Sequence, residues 1–234
     1  MSSPRKFVDE LIALPSQPGV FNPWRDRDPV NDAGVQAPRI RAENLTRYLQ
    51  MRVGKARLVL IAEAPGFRGA KFSGIAMTSE RILMDHQPKV PSSAVFDGEK
   101  SRTSLEALMP LGFIEPTASI TWSLLLSLGL KPSEFVLWNS FPCHPFKGTN
   151  PLTNRAPTPA ELASCAHVLP LMLELFDTAQ VVAVGRVAQR ALASLGLEVP
   201  NVRHPAMGGA TAFRSQIMEL LSASAKRNAP VESS

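Results

Sequence analysis

The chain has 234 residues, 44% hydrophobic and 19% charged, which excludes a disordered or collagen-like polymer and supplies core for one large domain with an added arm. With 25 Lys and Arg against 20 Asp and Glu, the net charge of +5 permits a polyanionic partner without requiring one. Two cysteines, Cys143 and Cys165, are too few for a four-thiolate zinc or iron–sulfur site or for a disulfide scaffold.

A helical pattern runs from Phe7 to Leu14 and stops at Pro15. The N-terminus carries acidic residues and no continuous apolar run, so it does not read as a secretory signal. Residues 17–39 are rich in Pro, Asp, Asn and Gly without a period, and predict an ordered arm on which Phe21 and Trp24 need a packing surface. Helical spacing returns over 40–52. RLVLIA (57–62) is a continuous apolar run typical of a strand covered on both faces. A helical segment, 118–129, precedes a second such strand, EFVLWN (134–139). A long amphipathic helix is expected over 160–176, starting from Thr158 as N-cap, Pro159 at N1 and Glu161 three residues on. QVVAVG (180–185) is the third strand, followed by a helix over 186–195, a short strand near 199–203 and a last helix over 211–225. Strands alternating with helices predict an open parallel sheet of about four strands with helices on both faces. The most apolar stretch, 118–130, is broken by Ser119, Thr121, Ser123, Ser127 and Gly129, so no membrane span is expected and the protein reads as cytoplasmic.

Ligands of such sheets bind at the carboxyl ends of the strands. AEAPGFRGAKFSG (62–74) puts a carboxylate, Glu63, directly after a buried strand and before a Pro-Gly turn. Backbone amides there can hold an anion or a polar ring edge, while dinucleotide and P-loop spacings are missing. Glu63 reads either as a pocket carboxylate or as a surface group at a turn. Phe72 is either a stacking platform for a planar base or a packed anchor. Asn139, ending the second strand, offers a donor and an acceptor to a pyrimidine edge, or caps a turn. His144 reads as a structural hydrogen-bonding residue or as a backbone or phosphate contact. His204 can donate toward negative charge developing on a bound ring, and Gly208 and Gly209 allow close backbone approach. Met207 is either a protruding apolar wedge or a core-facing loop residue. His86 and His167 lie in helical patterns, and the four histidines show no metal-ligand spacing. Between Arg39 and Lys71 there are eight basic residues and two Glu, a surplus of +6 that reads as solvated surface or as a phosphate-backbone track beside the AEAPG loop.

AEAPG (62–66), FSG (72–74), the Asn139 segment, NRAPTPAELASC (154–165), VVAVGRVAQRAL (181–192) and RHP (203–205) occur in an order that resembles the uracil-DNA glycosylase superfamily, nearest its GEAPG-type branch, over about 57–221. The resemblance implies a three-layer α/β/α sandwich around a four-stranded parallel sheet, and hydrolysis of the N-glycosidic bond of uracil flipped out of DNA. It implies that Phe72 stacks on the base, Asn139 reads its polar edge, and His204 donates toward the pyrimidine O2. Ala64 and Pro65, with Glu63, would line the pocket and position water. Arg68, Lys71, Arg203, Met207, Gly208 and Gly209 would meet DNA. Ala62 replaces the motif's first glycine, Ala64 stands where efficient uracil enzymes carry a water-activating Asp, and Ala206 replaces the Ser common after His-Pro. The branch's usual four-cysteine iron–sulfur cluster cannot form, leaving no cofactor and the arm 17–39 as the candidate to hold that region by packing. The expected organisation is an arm (1–56), a glycosylase-like domain (57–225) and a flexible tail (226–234), in a monomer that acts on DNA containing a deaminated base. In a prokaryote it would be nucleoid-associated. Activity on deaminated purines stays open, as does the alternative of a binding module for damaged or single-stranded DNA with weak or no catalysis.

Overall fold

The computed structural model describes residues 3–227. Helix α1 (Pro4–Ala13) starts at Ser3, whose hydroxyl accepts from the Lys6 N–H, and buries Phe7, Val8 and Leu11 on one face. The arm follows, with a two-residue strand β1 (Val20–Phe21), then α2 (Ala37–Gln50). Strand β2 (Leu58–Ala62) leads into two short helices, α3 (Ala70–Ser73) and α4 (Glu80–Leu83), before α5 (Pro116–Ser127). Next come β3 (Phe135–Asn139), β4 (His144–Pro145), α6 (Pro159–Ser164) and α7 (Val168–Glu174). The chain then runs through β5 (Gln180–Val184), α8 (Arg186–Ala193), β6 (Asn201–Val202) and α9 (Ala210–Arg227).

Strands β3, β2, β5 and β6 form, in that order, a four-stranded parallel sheet flanked by helices, the expected three-layer α/β/α class. LVLIA and FVLWN are buried at every position, because β2 and β3 are covered on both faces. Ala62 and Asn139 stand side by side in register, so the carboxyl ends of β2 and β3 open onto one place.

The start of α6 matches the sequence reading: Thr158 and Glu161 form a capping box with Pro159 in the first turn. The long helix expected over 160–176 is instead two helices separated by Cys165, Ala166 and His167. Pro170 accounts for the break, because it has no N–H to donate and its ring crowds the preceding turn, a position tolerated only near a helix start. Residues 75–115, where the sequence places only His86 in a helical pattern, hold α4 and one 3₁₀ turn (Ser92–Ala94) and are otherwise irregular; His86 lies past the end of α4 and His167 in the break between α6 and α7, so neither is inside a helix. The expected tail reaches into α9 at Lys226 and Arg227, and residues 228–234 lie outside the described residues.

The arm shares the core of the sheet. Phe7 meets Trp138 of β3 edge-on at 5.3 Å, and Trp24 stacks on the same indole at 6.0 Å. Strand β1 pairs antiparallel with β4, Phe21 opposite His144. Two buried ion pairs complete the attachment, Arg41 Nη1 to Asp32 Oδ1 at 2.8 Å and Lys71 Nζ to Asp28 Oδ2 at 2.8 Å. Arg41 also donates to the carbonyls of Pro23 and Asp26, and Asn31 donates to Asp28, so these charges are paired and hydrogen-bonded. Asp32→Ala strands a buried guanidinium and is expected to cost about 3–5 kcal/mol, read as a lower midpoint in urea unfolding. Arg5→Ala, which breaks an exposed pair with Asp9, should leave that midpoint almost unchanged.

Candidate functional site

The loop after β2 is stitched to the end of β3. The Glu63 carbonyl accepts from the Phe141 N–H at 2.9 Å and the Ser140 hydroxyl at 3.0 Å. One residue on from Ala64, the Pro65 carbonyl lies 2.9 Å from His144 Nδ1, while His144 Nε2 faces the Pro151 carbonyl at 3.0 Å. Burial depresses this imidazole to a pKa of about 4, so at neutral pH it is uncharged and donates to one of the two carbonyls. His144 is thus a structural hydrogen-bonding residue that ties the Pro65 turn to the segment after β4. Glu63 and Ala64 are half-buried. Burial raises the Glu63 pKa, and the charge of Arg190, on α8, opposes that rise. Between α6 and α8 a groove of about 330 Å³ opens beside Ser140, lined mainly by apolar side chains with Arg190 among them.

Three side chains fix the FSG segment. The Phe72 carbonyl accepts from Thr103 Oγ1 at 2.6 Å, the Ser73 carbonyl from Asn44 Nδ2 at 3.0 Å, and the Gly74 carbonyl from Trp24 Nε1 at 3.0 Å. The Phe72 ring is fully buried. Phe113 stacks on it at 4.9 Å with the planes 2° apart, and the Lys71 ammonium sits 3.9 Å from its centroid. A planar base reaches this ring only after one of these neighbours gives way.

At the end of β3, Asn139 is buried and its Oδ1 has no hydrogen-bond partner. An unpartnered buried carbonyl is costly and asks for a ligand or water. His204, after β6, accepts a hydrogen bond at Nδ1 from the Ala206 backbone N–H at 3.1 Å. A backbone amide can only donate, so the ring proton sits on Nε2, which is left free to donate outward. Burial lowers the His204 pKa and the charge of Arg203 lowers it further, which keeps the imidazole neutral. Beyond it, Met207 holds a left-handed backbone (φ 54°) with its side chain 93% exposed, as an apolar tip on a bent loop. Gly209 is required there, because a Cβ at that position would collide with the His204 carbonyl.

The structure brings Glu63, Ala64, Pro65 and Asn139 together at adjacent strand ends. His204, Met207, Gly208 and Gly209 lie beyond β6, at the far edge of the sheet. It redistributes the basic stretch 39–71. Arg41, Arg52 and Lys71 are fully buried, and Lys71 is held by Asp28, so it offers no ammonium to a surface partner. Lys55 and Arg57 precede β2, at the opposite end of the strand from AEAPG. Of that stretch only Arg68 is exposed in the loop after β2, while Arg186, Arg190 and Arg203 stand exposed after β5 and β6.

Glu115 escaped the sequence reading, because Glu-Pro before a helical run reads only as a helix start. Its carboxyl makes no cap to α5. Oε2 is sealed from solvent without a partner, and burial pushes the group up to about 7. Gly69 leaves the space that Oε2 occupies, since a Cβ there would overlap it unless the Glu115 side chain moved. As for a cluster, Cys143 and Cys165 are buried free thiols, and burial pushes Cys143 further from the thiolate that iron requires. Two such residues do not fit a four-cysteine site, and among the described residues no group of three or more His, Cys, Asp or Glu is placed to hold a metal ion.

A family model described as the uracil DNA glycosylase superfamily matches residues 50–230. Among solved structures, the chain is similar to wild-type SMUG2 of Pedobacter heparinus, with a TM-score of 0.63 at 13% identity over 98% of this chain and all of that one. No curated protein matches.

The Glu115 carboxyl gives a pH signature. Its folded pKa of about 7 lies above the ordinary 4.5, so the folded state binds the extra proton between those values, and stability falls as pH rises through that window. Glu115→Gln should therefore leave the melting temperature near wild type at pH 4.5. At pH 8 it should raise stability by on the order of 2 kcal/mol, as checked by thermal unfolding across pH.

Proposed function

Because the chain belongs to the uracil DNA glycosylase superfamily, we propose that it is a monofunctional DNA glycosylase, hydrolysing the N-glycosidic bond of uracil or another deaminated base in DNA. The product is an abasic site, the entry to base excision repair. Within the superfamily we place it nearest the GEAPG-motif branch, on AEAPG, FSG and NRAPTPAELASC.

The observation that carries this reading is a pair of uncommitted neutral polar groups at strand ends, the orphaned Oδ1 of Asn139 and the free Nε2–H of His204. The base leaves the stack and enters at the carboxyl end of the sheet. Asn139 Oδ1 accepts from a ring N–H, and Phe72 supplies the stacking surface. As the C1′–N bond breaks, its electron pair goes to the base, and His204 donates toward the keto oxygen on which the negative charge grows. Water adds to C1′ of the oxocarbenium-like sugar, and its proton passes to the Glu63 carboxylate, which the turn at Ala64 and Pro65 orients. Met207, with Gly208 and Gly209 beside it, fills the gap that the base leaves in the duplex, an apolar wedge of the kind that unstacks base steps. Arg68 and Arg203 contact phosphate.

Duplexes and single strands carrying uracil, hypoxanthine or xanthine, incubated with the protein and cleaved with alkali, test the reaction. Strand cleavage is expected on at least one, and none on any would refute it. DNA affinity without abasic sites would establish the binding module instead. His204→Ala and Asn139→Ala should each lower turnover at least about 100-fold while changing DNA affinity far less, as measured by single-turnover assay and anisotropy. Arg203→Ala should reduce the slope of log K against log salt by about 0.9 on duplex DNA, and Arg57→Ala, at the other end of the sheet, should not.

A further inference from the structure

Phe113, Ile114 and Glu115 lie between Gly112 and the first turn of α5. Side chains alternate along this extended segment: Ile114 is 37% exposed, whereas Phe113 and the Glu115 carboxyl point the other way, into the loop that joins Pro65 to Phe72. Phe113 stacks flat on Phe72 and meets Phe67 edge-on at 6.0 Å. The protein's own aromatic ring thus occupies a place where a planar ring fits on Phe72. Glu115 reaches the same loop from the same side. A methyl built on Gly66 would lie 3.6 Å from Glu115 Oε1 and 3.7 Å from the Asn154 amide, and Gly69 leaves room for Oε2. A carboxyl with a free, sealed oxygen here does no structural work that its surroundings reveal. It neither caps its helix nor pairs with a cation among the described residues.

We infer that Glu115 is a specificity-determining residue, its carboxyl reading a keto-bearing edge of the flipped base once that base displaces Phe113 from Phe72. This rests on the glycosylase reading, which makes Phe72 the stacking surface. A protonated carboxyl offers an O–H donor to a ring keto oxygen, which uracil, hypoxanthine and xanthine all carry, and leaves the ring N–H to Asn139. An ionised carboxyl would face the keto oxygen with like partial charge, and burial favours the protonated form. Glutamine keeps a donor and an acceptor in the same shape, and alanine keeps neither.

Binding to oligonucleotides that carry 2′-fluoro analogues of deoxyuridine, deoxyinosine or deoxyxanthosine, whose glycosidic bonds resist cleavage, separates recognition from chemistry. Preference for at least one of these over a 2′-fluoro-deoxyadenosine control, whose base has no keto oxygen, is expected in the wild type, lost about 10-fold in Glu115→Ala and kept within about 3-fold in Glu115→Gln. Glu115→Leu, which fills a similar volume with neither donor nor acceptor, should lose the same preference, and it decides the matter if Glu115→Ala does not fold. An unchanged preference in Glu115→Ala, or in Glu115→Leu where that variant decides, overturns the inference, as does a wild type that ignores all three analogues. Abasic-site formation on the cleavable strands judges the glycosylase reading separately: cleavage with no effect of Glu115→Ala removes Glu115 and leaves the enzyme.

Discussion

Three successive carbonyls, those of Phe72, Ser73 and Gly74, are each captured by a side chain from a different part of the chain: Thr103, Asn44 and Trp24. Each bond contributes a net ~1 kcal/mol, but breaking one leaves a buried acceptor unsatisfied, which costs more. The Phe72 ring is therefore held by α2, the arm and the 74–115 segment at once. What faces it is held more lightly. Phe113 has one backbone bond to this region, its carbonyl accepting from Arg81 N–H, and the Glu115 carboxyl has none. A ligand that needs the face of Phe72 would move the 113–115 side of the contact, because the other side cannot yield without unpairing several groups together.

The same clamp explains why the arm cannot be treated as an appendage. Its acidic residues Asp28 and Asp32 enter the interior to meet Lys71 and Arg41, and β1 pairs with the strand that directly follows Cys143. Pairing, stacking on Trp138 and two satisfied ion pairs hold the arm against the sheet. The charge count was misleading for the same reason. Lys71 and Arg41 look in the sequence like part of a basic surface, yet both are internal counterions, and Arg52 spends its guanidinium on the carbonyls of Phe135, Tyr48, Val95 and Ala94.

The sheet was legible because doubly covered strands have to be continuous apolar runs, and LVLIA and FVLWN are. The capping box at Thr158 was legible because its chemistry is local. The break at 165–167 was missed because amphipathic spacing continues across it, and only the missing N–H of Pro170 marks it. Asn139 and His204 could be picked out as polar residues at strand ends. Glu115 could not: a buried carboxyl is defined by what surrounds it, and Gly66, Gly69 and Phe113 are brought there by the fold.

The polar groups of the proposed site share one electrostatic character. Asn139 is neutral by nature, His204 is kept neutral by burial and by Arg203, and burial favours the protonated form of Glu115. A neutral donor gains little against a neutral base and more against the anion the base becomes as its bond breaks, so its contribution falls on the transition state. A permanent cation beside the keto oxygen would bind the anionic product strongly and slow its release. The carboxyl that would carry charge, Glu63, has its pKa raised by burial, and the charge of Arg190 limits that rise. In the proposed reaction Glu63 would supply negative charge on the sugar side, where an oxocarbenium-like cation would form, and donors without charge would stand on the base side. That division asks the protein to separate charge along the breaking bond, which a site of uniformly charged residues could not do.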